Sequence, residues 1–404
     1  MGLLDWELRK IASPWILAAV VLLGVVYYFL FPEFYIQYFC NGANAEAEFA
    51  LSSEWVAKYG VTMEASERVE LDVQLANEME VFRQGLLLIP EAAEVGIVDY
   101  GSFGEYTDRY LEQTAAKGNV ADMEQERLRW QIMASTNYFR VQALEQFIAS
   151  YDRTADITAS DENESSLPDY YTAAMQRRES ELMQSKQKYG FLPTCVYDST
   201  RKYGQYLAVW CVLSVVLLLS PVLVRDRLCR THSLQWSSGC GRTVLRTQLM
   251  AACIVAFVVT AVNLVVYGIP FLQQEPLIFR DCGLESLWNS AMPWFDWTYG
   301  TYLIILTGLI LVLSMAAALL TVFLSQYSGN YIPMLLKALP LFVVLGPVTG
   351  SWMVSGSCYF RELWQGAGIG GFRGMEAVMA VLLLALGVGL CASAVRRQRR
   401  VELY

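Results

Sequence analysis

Residues 205–224 read QYLAVWCVLSVVLLLSPVLV and contain no charged side chain. An apolar run of about 18 residues or more is long enough to cross a bilayer as a helix. The next six residues, 225–230, read RDRLCR and carry three arginines. Because basic residues collect at the cytoplasmic end of a span, this stretch predicts a transmembrane helix that ends in the cytoplasm.

Five further apolar runs have the same character. They lie at residues 15–31, 248–271, 297–324, 332–355 and 375–395. Lys337 is the one clear charge inside a run, and it lies about one turn from the end. The 404-residue chain is 55% hydrophobic and only 17% charged, whereas soluble domains average about 25% charged residues. The sequence therefore predicts an all-α polytopic membrane protein with six transmembrane helices.

A long acidic insertion separates the first two runs. Residues 32–204 hold 15 Lys or Arg and 29 Asp or Glu, a net charge of −14, whereas the rest of the chain carries +5. Apolar residues at roughly helical spacing predict a mostly helical domain. The predicted helices lie at residues 63–82, 101–116, 122–151 and 168–188, and residues 86–89 form the only plausible short strand.

The distribution of basic residues sets the predicted orientation. Arginine and lysine occur before the first run, between the second and third, and after the sixth, at positions 9, 10, 225, 227, 230, 242, 246, 396, 397, 399 and 400. Six crossings place all of these on one side, so both termini are expected in the cytoplasm and residues 32–204 outside. We expect a multi-pass protein of a bacterial plasma membrane.

The expected organisation has five parts in addition to the first span at residues 14–31. Leu4, Leu8 and Ile11 share one helical face and predict an amphipathic interfacial helix within residues 1–13. The other parts are the extracellular domain (32–204), five further spans (205–395), a cytoplasmic coupling segment within them (225–247) and a basic tail (396–404).

Four of the nine cysteines fall outside under this topology. Cys40 and Cys195 lie at the two roots of the acidic domain, and Cys282 and Cys358 lie in the two other outer loops. Neighbouring roots would bring each pair within bridging distance in an oxidising exterior. Two disulfides or buried free thiols are both compatible with these positions.

Catalytic motifs are absent from the sequence. It contains no P-loop, no G-x-S-x-G, no H-E-x-x-H and no paired C-x-x-C. One histidine excludes a multi-histidine metal centre, and a net charge of −9 argues against nucleic-acid binding. We therefore expect no catalytic residue, no metal site, no cofactor in this chain and no enzymatic activity of its own.

The link between the second and third runs is the most distinctive cytoplasmic segment. Basic residues flank an apolar pair, Leu234 and Trp236, and a Ser-Ser-Gly break at residues 237–239 follows. A short exposed helix with an aromatic residue suits the docking of a partner protein. The alternative is a positively charged loop that only fixes topology.

This link resembles the permeases of type 2 ABC exporters. The resemblance rests on Arg225-Asp226-Arg227, Ser233-Leu234-Gln235-Trp236-Ser237-Ser238, Gly241-Arg242 and Arg246-Thr247-Gln248. The amphipathic start, six spans and inside termini also match. The large outer domain after the first span is similar to the branch of bacterial sodium and peptide exporters and eukaryotic lipid exporters.

The resemblance implies a permease subunit that moves an amphipathic substrate (a peptide, an antibiotic or a lipid) outward. It implies pairing with a second copy or a paralogous permease, contact with membrane lipid, and separate ABC ATPase subunits that bind ATP and magnesium. The implied docking residues are Arg227, Arg230, Leu234, Gln235, Trp236 and Arg242. Residues 359–372 are a short candidate for the family's re-entrant element. The alternative is a non-transporting receptor or scaffold whose outer domain senses a ligand.

Overall fold

The chain folds almost entirely into helices. The computed structural model describes residues 2–116, 122–159, 173–229, 244–288, 293–356 and 374–400. In these ranges the only β-type pairings are two isolated bridges, Thr62 with Gly190 and Gly283 with Thr298. The predicted all-helical character of the fold is confirmed.

Apolar helices form a membrane body. Within the described ranges, five helices are long and apolar enough to cross a membrane, or six if a bent pair counts as one span. The bent pair is the helix Leu3–Ile11 followed, across a 45° bend, by Pro14–Leu30. We name the six helices spans one to six: Pro14–Leu30, Thr194–Leu228, Val244–Leu272, Tyr299–Gln326, Tyr331–Val354 and Met375–Arg397.

Span two begins well before its apolar run. Its helix starts at Thr194, and its first three turns, which precede Gln205, are mostly polar. Tyr197 and Tyr203 are buried in these turns, so tertiary packing continues the helix beyond the apolar segment. The periodicity of the apolar run alone gives no signal for this extension.

Span five changes its helical winding in the middle. Val344–Gly350 is a π-helix that contains Pro347, between the α-helices Tyr331–Val343 and Ser351–Gly356. Proline removes an amide donor, and a wider turn accommodates its ring. A Cβ added to Gly350 would lie 3.3 Å from Leu313 Cδ2 and 3.6 Å from Ala208 Cβ. The irregular turn therefore packs closely against spans two and four.

Span four lies at the centre of the membrane body. Its Ala316, Ala317 and Ala318 are fully buried, and a Cβ added to Gly387 of span six would lie 3.0 Å from Leu319 Cβ. Small residues allow such close approach of helices in a membrane. We call the end of the body near residues 228 and 244 the basic end, and the opposite end the domain end.

The insertion between spans one and two forms a helical domain, here called the inserted domain (residues 32–193). Its helices are Pro32–Gln37, Ala43–Tyr59, Ala65–Leu86, Pro90–Glu94, Tyr100–Ala116, Met123–Ser135, Tyr138–Ala159 and Ala173–Gln184, followed by the short 3-10 helix Lys186–Tyr189.

Two local predictions in this domain were wrong. Residues 122–151 were expected as one helix, but the chain breaks at Thr136, whose backbone is extended, and Asn137 donates a hydrogen bond to Glu78 O at 2.9 Å. Leu86 ends a helix instead of starting a strand, because Leu86 and Ile89 are buried by neighbouring helices. In both places a long-range contact overrides the local pattern.

The core of the inserted domain has two parts. Near the membrane body, Trp55 packs against Phe147 and Phe191, with ring centroids 4.5 and 5.7 Å away. Farther out, Phe82, Phe103 and Ile132 form a second buried cluster. The domain therefore has its own core and does not depend on lipid for burial of its apolar side chains.

Candidate functional site

The amphipathic helix Leu3–Ile11 packs against the basic end of the membrane body. Ile11 is 1% exposed, and the partly buried Leu4 and Leu8 lie beside it against Leu219 and Leu245 of spans two and three. The apolar face predicted to lie on the membrane surface is thus covered by protein. Exposed Trp6 lies elsewhere on this helix.

Four polar side chains meet beneath this helix, and we call them the basic-end junction: Glu7, Lys10, Asp226 and Gln248. Lys10 Nζ lies 2.6 Å from Glu7 Oε2 and 2.7 Å from Asp226 Oδ2. Gln248 Nε2 donates to Asp226 Oδ2 at 2.9 Å and to Glu7 Oε1 at 3.3 Å. One ammonium and one amide therefore join two carboxylates from different elements.

Local sequence explains how these groups converge. Glu7 and Lys10 are three residues apart, which places them on one side of a helix. Asp226 lies in the last turns of span two, and Gln248 lies in the second turn of span three. The junction therefore joins the chain start to both ends of the link at residues 230–243.

The junction is shielded from water. The side chains of Glu7, Lys10 and Asp226 are 0%, 6% and 6% exposed, and Gln248 is 5% exposed. Charges in such a place need their partners, because an isolated buried charge is strongly destabilising. The four groups therefore form one buried unit between the helix Leu3–Ile11 and spans two and three.

A second set of contacts fastens span two to spans four and five. Arg227 Nη1 donates to Ser328 O at 3.0 Å, and Lys337 Nζ donates to Tyr327 O at 2.9 Å. These cations bind carbonyls near the C-terminal end of span four, where cations interact favourably with a helix. Adjacent residues Asp226 and Arg227 thus contact opposite sides of the body.

The groups at the basic end are ion pairs and amide contacts between helices. In the described ranges, no group of three or more His, Cys, Asp or Glu side chains could hold a metal ion. The ion pairs and amide contacts of the junction hold the ends of three helices together.

Of the six predicted docking residues, the structure describes only Arg227. Arg227 lies at the root of the link, beside the basic-end junction. Arg230, Leu234, Gln235, Trp236 and Arg242 lie outside the described residues, as do Cys358 and the predicted re-entrant segment at 359–372. The docking role of these residues stays a prediction.

Sequence reasoning missed Glu7, Lys10, Asp226 and Gln248 as one unit. Asp226 was recognisable as the single acidic residue in the basic run 225–230, and Glu7 with Lys10 as an i, i+3 pair. Nothing in the sequence, however, joins Lys10 to a residue 216 positions away.

At the opposite end of the body, a domain-end junction (Cys40, Cys195, Arg178, Asp296 and Trp288) attaches the inserted domain. Cys40 and Cys195 form a disulfide with their Cα atoms 4.9 Å apart. Arg178 Nη2 lies 2.7 Å from Asp296 Oδ1, and Trp288 stacks on Trp55 with ring centroids 6.1 Å apart. The domain is therefore fixed to the loop between spans three and four.

Cys282, the cysteine of this loop, is buried. It is a free thiol, and burial raises its pKa to about 12. A thiol of this kind reacts slowly, because the thiolate is the reactive form. Its predicted pairing with Cys358 is untested, since Cys358 lies outside the described residues.

The apolar helices and the shielded junction give the chain the pattern of a multi-pass helical membrane protein. The chain matches no protein-family model, no curated protein and no solved structure.

Proposed function

We propose that the chain is the permease subunit of an ATP-binding cassette exporter, driven by separate ATPase subunits that dock on the link between spans two and three. One observation carries the proposal. The two ends of this link meet at a single buried ionic junction, which also holds the helix at the chain start.

The basic-end junction connects the link, where the ATPase would dock, to the spans. When docking displaces the link, Asp226 moves with it. The contact between Asp226 and Lys10 transmits this movement to the amphipathic helix and span one. Arg227 passes the same displacement to the end of span four, where Lys337 of span five is also attached. Since a buried charge that loses its partner is strongly destabilised, rearrangement of whole helices is the easier response.

The remaining parts of the proposal follow the sequence analysis. Both termini and the link face the cytoplasm of a bacterial cell, and the acidic inserted domain faces outward. The chain has no ATPase site of its own; ATP and magnesium belong to the partner. Two permease chains, identical or paralogous, enclose the path of an amphipathic peptide, antibiotic or lipid.

Affinity purification tests the proposal. The tagged chain is isolated from its native membrane in mild detergent, and the proteins that accompany it are identified by mass spectrometry. We expect a stoichiometric P-loop ATPase. The double variant L234D/W236D should lose this ATPase, whereas Thr231→Asp, which adds a negative charge elsewhere in the same link, should retain it.

Other outcomes contradict particular parts of the proposal. An ATPase that remains bound to L234D/W236D would exclude docking through these two residues. Recovery of the chain alone, or with extracellular signalling proteins only, would exclude the exporter and favour the receptor. ATP-dependent flux in vesicles that contain both subunits separates transport from passive association.

A further inference from the structure

A long groove opens at the domain end of spans two, three and four. Its volume is 820 Å³, within the range of about 300–1,000 Å³ that is typical of small-molecule sites. The third span contributes Leu264 to Leu272, and the fourth contributes Gly300 to Ile310. Ten residues of α-helix advance about 15 Å, half of the roughly 30 Å hydrocarbon core of a bilayer.

The lining of the groove changes along its length. The deeper part is mostly apolar, with Leu264, Val265 and Ile310 among its walls. Its Thr307 hydroxyl donates to the Leu303 carbonyl of its own helix at 2.8 Å. Polar groups cluster at the domain end, where the lining includes Thr200, Arg280, Asp281, Thr298 and Thr301. A ligand that matches this gradient has a long apolar tail and a polar head.

The mouth of the groove carries both signs of charge. Arg280 Nε lies 3.0 Å from Asp281 Oδ2, and both side chains are about 70% exposed. Neighbouring charges of opposite sign complement a head group that holds a phosphate and an ammonium. By contrast, the second groove, between spans one, two and three, is lined without any Asp, Glu, Lys or Arg.

The groove is also open sideways to the surrounding membrane. Ile304 is 73% exposed, Val265 58% and Ile269 53%, so its walls are in reach of lipid. We propose that this groove binds one acyl chain of a zwitterionic phospholipid of the surrounding membrane, with the head group at Arg280 and Asp281. The inference is independent of the exporter function, because it concerns a lipid site in this chain alone.

Two glycines provide a matched test. A Cβ added at Gly268, in the wall of the groove, meets nothing within 4 Å, and the same holds for Gly308, which lies outside the lining. A tryptophan at position 268 therefore enters the groove, whereas a tryptophan at position 308 does not. Both substitutions replace a helical glycine in an open place.

The experiment uses the full chain in nanodiscs of phosphatidylcholine doped with a phosphatidylcholine that carries a diazirine on one acyl chain. After illumination, labelled peptides are mapped by mass spectrometry. We expect labels concentrated at residues 264–272 and 300–310. Gly268→Trp should reduce them at least about tenfold, since filling the groove removes most of the buried tail contact, whereas Gly308→Trp should not.

A second experiment tests whether the head group binds at Arg280 and Asp281. Replacing the carrier by phosphatidylglycerol should raise the labelling of the wild-type groove by the phosphatidylcholine probe, because the carrier then competes less well for the site. R280Q/D281N should abolish this dependence on the carrier. If Gly268→Trp lowers the melting temperature, Ile304→Trp on the opposite wall takes its place.

Three results would overturn the proposal. One is labelling spread evenly over the exposed faces of spans three, five and six. Another is labelling of residues 264–272 and 300–310 that Gly268→Trp leaves unchanged. The third is a protein–protein cross-link from a photoreactive residue at position 268, which would assign the groove to a second copy of the chain.

Discussion

The two ends of the membrane body are fastened by different chemistry. The basic-end junction uses buried ion pairs among Glu7, Lys10, Asp226 and Gln248, whereas the domain-end junction uses a disulfide, stacked aromatic rings and one buried arginine. Ion pairs can exchange partners when helices shift, but a covalent bond cannot. We therefore expect any movement of the helices to be concentrated at the basic end, while the domain end stays fixed.

Removing the shared ammonium of the basic-end junction should have the largest effect. Lys10→Met leaves Glu7 and Asp226 buried without their common cation, and loss of one partner in a buried pair costs about 3–5 kcal/mol. Thermal unfolding of the purified chain in detergent measures this loss.

Arg9→Met is the matched control for this prediction. Arg9 is on the same helix, but its pair with Asp5 is 3.7 Å long and well exposed. Exposed pairs contribute about 0–1 kcal/mol, so this variant should melt close to the wild type. Equal losses in both variants would show that the basic-end junction contributes nothing beyond surface electrostatics.

Opening the domain-end junction should have the next largest effect. Cys40 and Cys195 are 155 residues apart, and a disulfide that closes a long loop typically stabilises by about 2–4 kcal/mol. C40S/C195S should lower the melting temperature of the inserted domain, whereas Cys229→Ser, at an exposed free thiol, should not.

This variant also separates the two junctions in function. If the domain end is only a fixed attachment, C40S/C195S should still bind the proposed ATPase as the wild type does. Loss of ATPase binding in this variant would contradict the division into a fixed end and a moving end.

The spans were predictable because their signal is local. Runs of uncharged residues such as 205–224 and 375–395 reveal apolar helices without any knowledge of their neighbours. The helix Ala43–Tyr59 escaped prediction because its apolar residues do not form a clear stripe, although Leu51 and Trp55 are buried. Val69 and Val73, apolar residues within the predicted helix at residues 63–82, are exposed.

Only part of the basic-end junction was predictable from the sequence, because its contacts join distant segments of the chain. The basic link and the amphipathic helix at residues 1–13 are patterns within short segments, and both were recognised in the sequence. The contact between Lys10 and Asp226 depends on how three helices pack, and charge pairs separated by 216 residues leave no periodic trace in one sequence. The groove beside Gly268 is likewise a property of packing.

Span one gives a third test, because it lies between the two junctions. A Cβ at Gly24 would lie 2.7 Å from Trp210 Cζ2, and the Gly24 carbonyl accepts a hydrogen bond from Tyr267 at 2.8 Å. Gly24→Ala should therefore destabilise by about 1–3 kcal/mol through overpacking.

The control for span one is Gly389→Ala in span six. A Cβ there meets nothing within 4 Å, and alanine favours the helix, so stability should stay equal or rise by up to about 1 kcal/mol. Thermal unfolding compares the two variants. A neutral Gly24→Ala would mean that span one is loosely attached, and would locate the flexible part of the body there and not at the basic end.

The smallest expected effect is a pH dependence of the domain end. Glu285 follows Cys282 in the loop between spans three and four, and its Oε2 atom is buried without a hydrogen-bond partner among the described residues. Burial raises the pKa of this carboxyl to about 7, against the opposing influence of Arg178 and Lys188, while Asp296 raises it further. The folded protein therefore holds a proton here that the unfolded chain releases near pH 4.5.

The sign of the effect follows from this difference. Since the folded state binds the extra proton, the contribution of Glu285 is complete below about pH 4.5 and is lost as the pH rises through about 7. The melting temperature of the inserted domain should fall by a few degrees between pH 5 and pH 8, and Glu285→Gln should remove that slope. A slope that persists in Glu285→Gln would assign it to another group. Arg9→Met, an exposed substitution at the other end of the body, should retain the wild-type slope, because it leaves Glu285 and its charged neighbours unchanged.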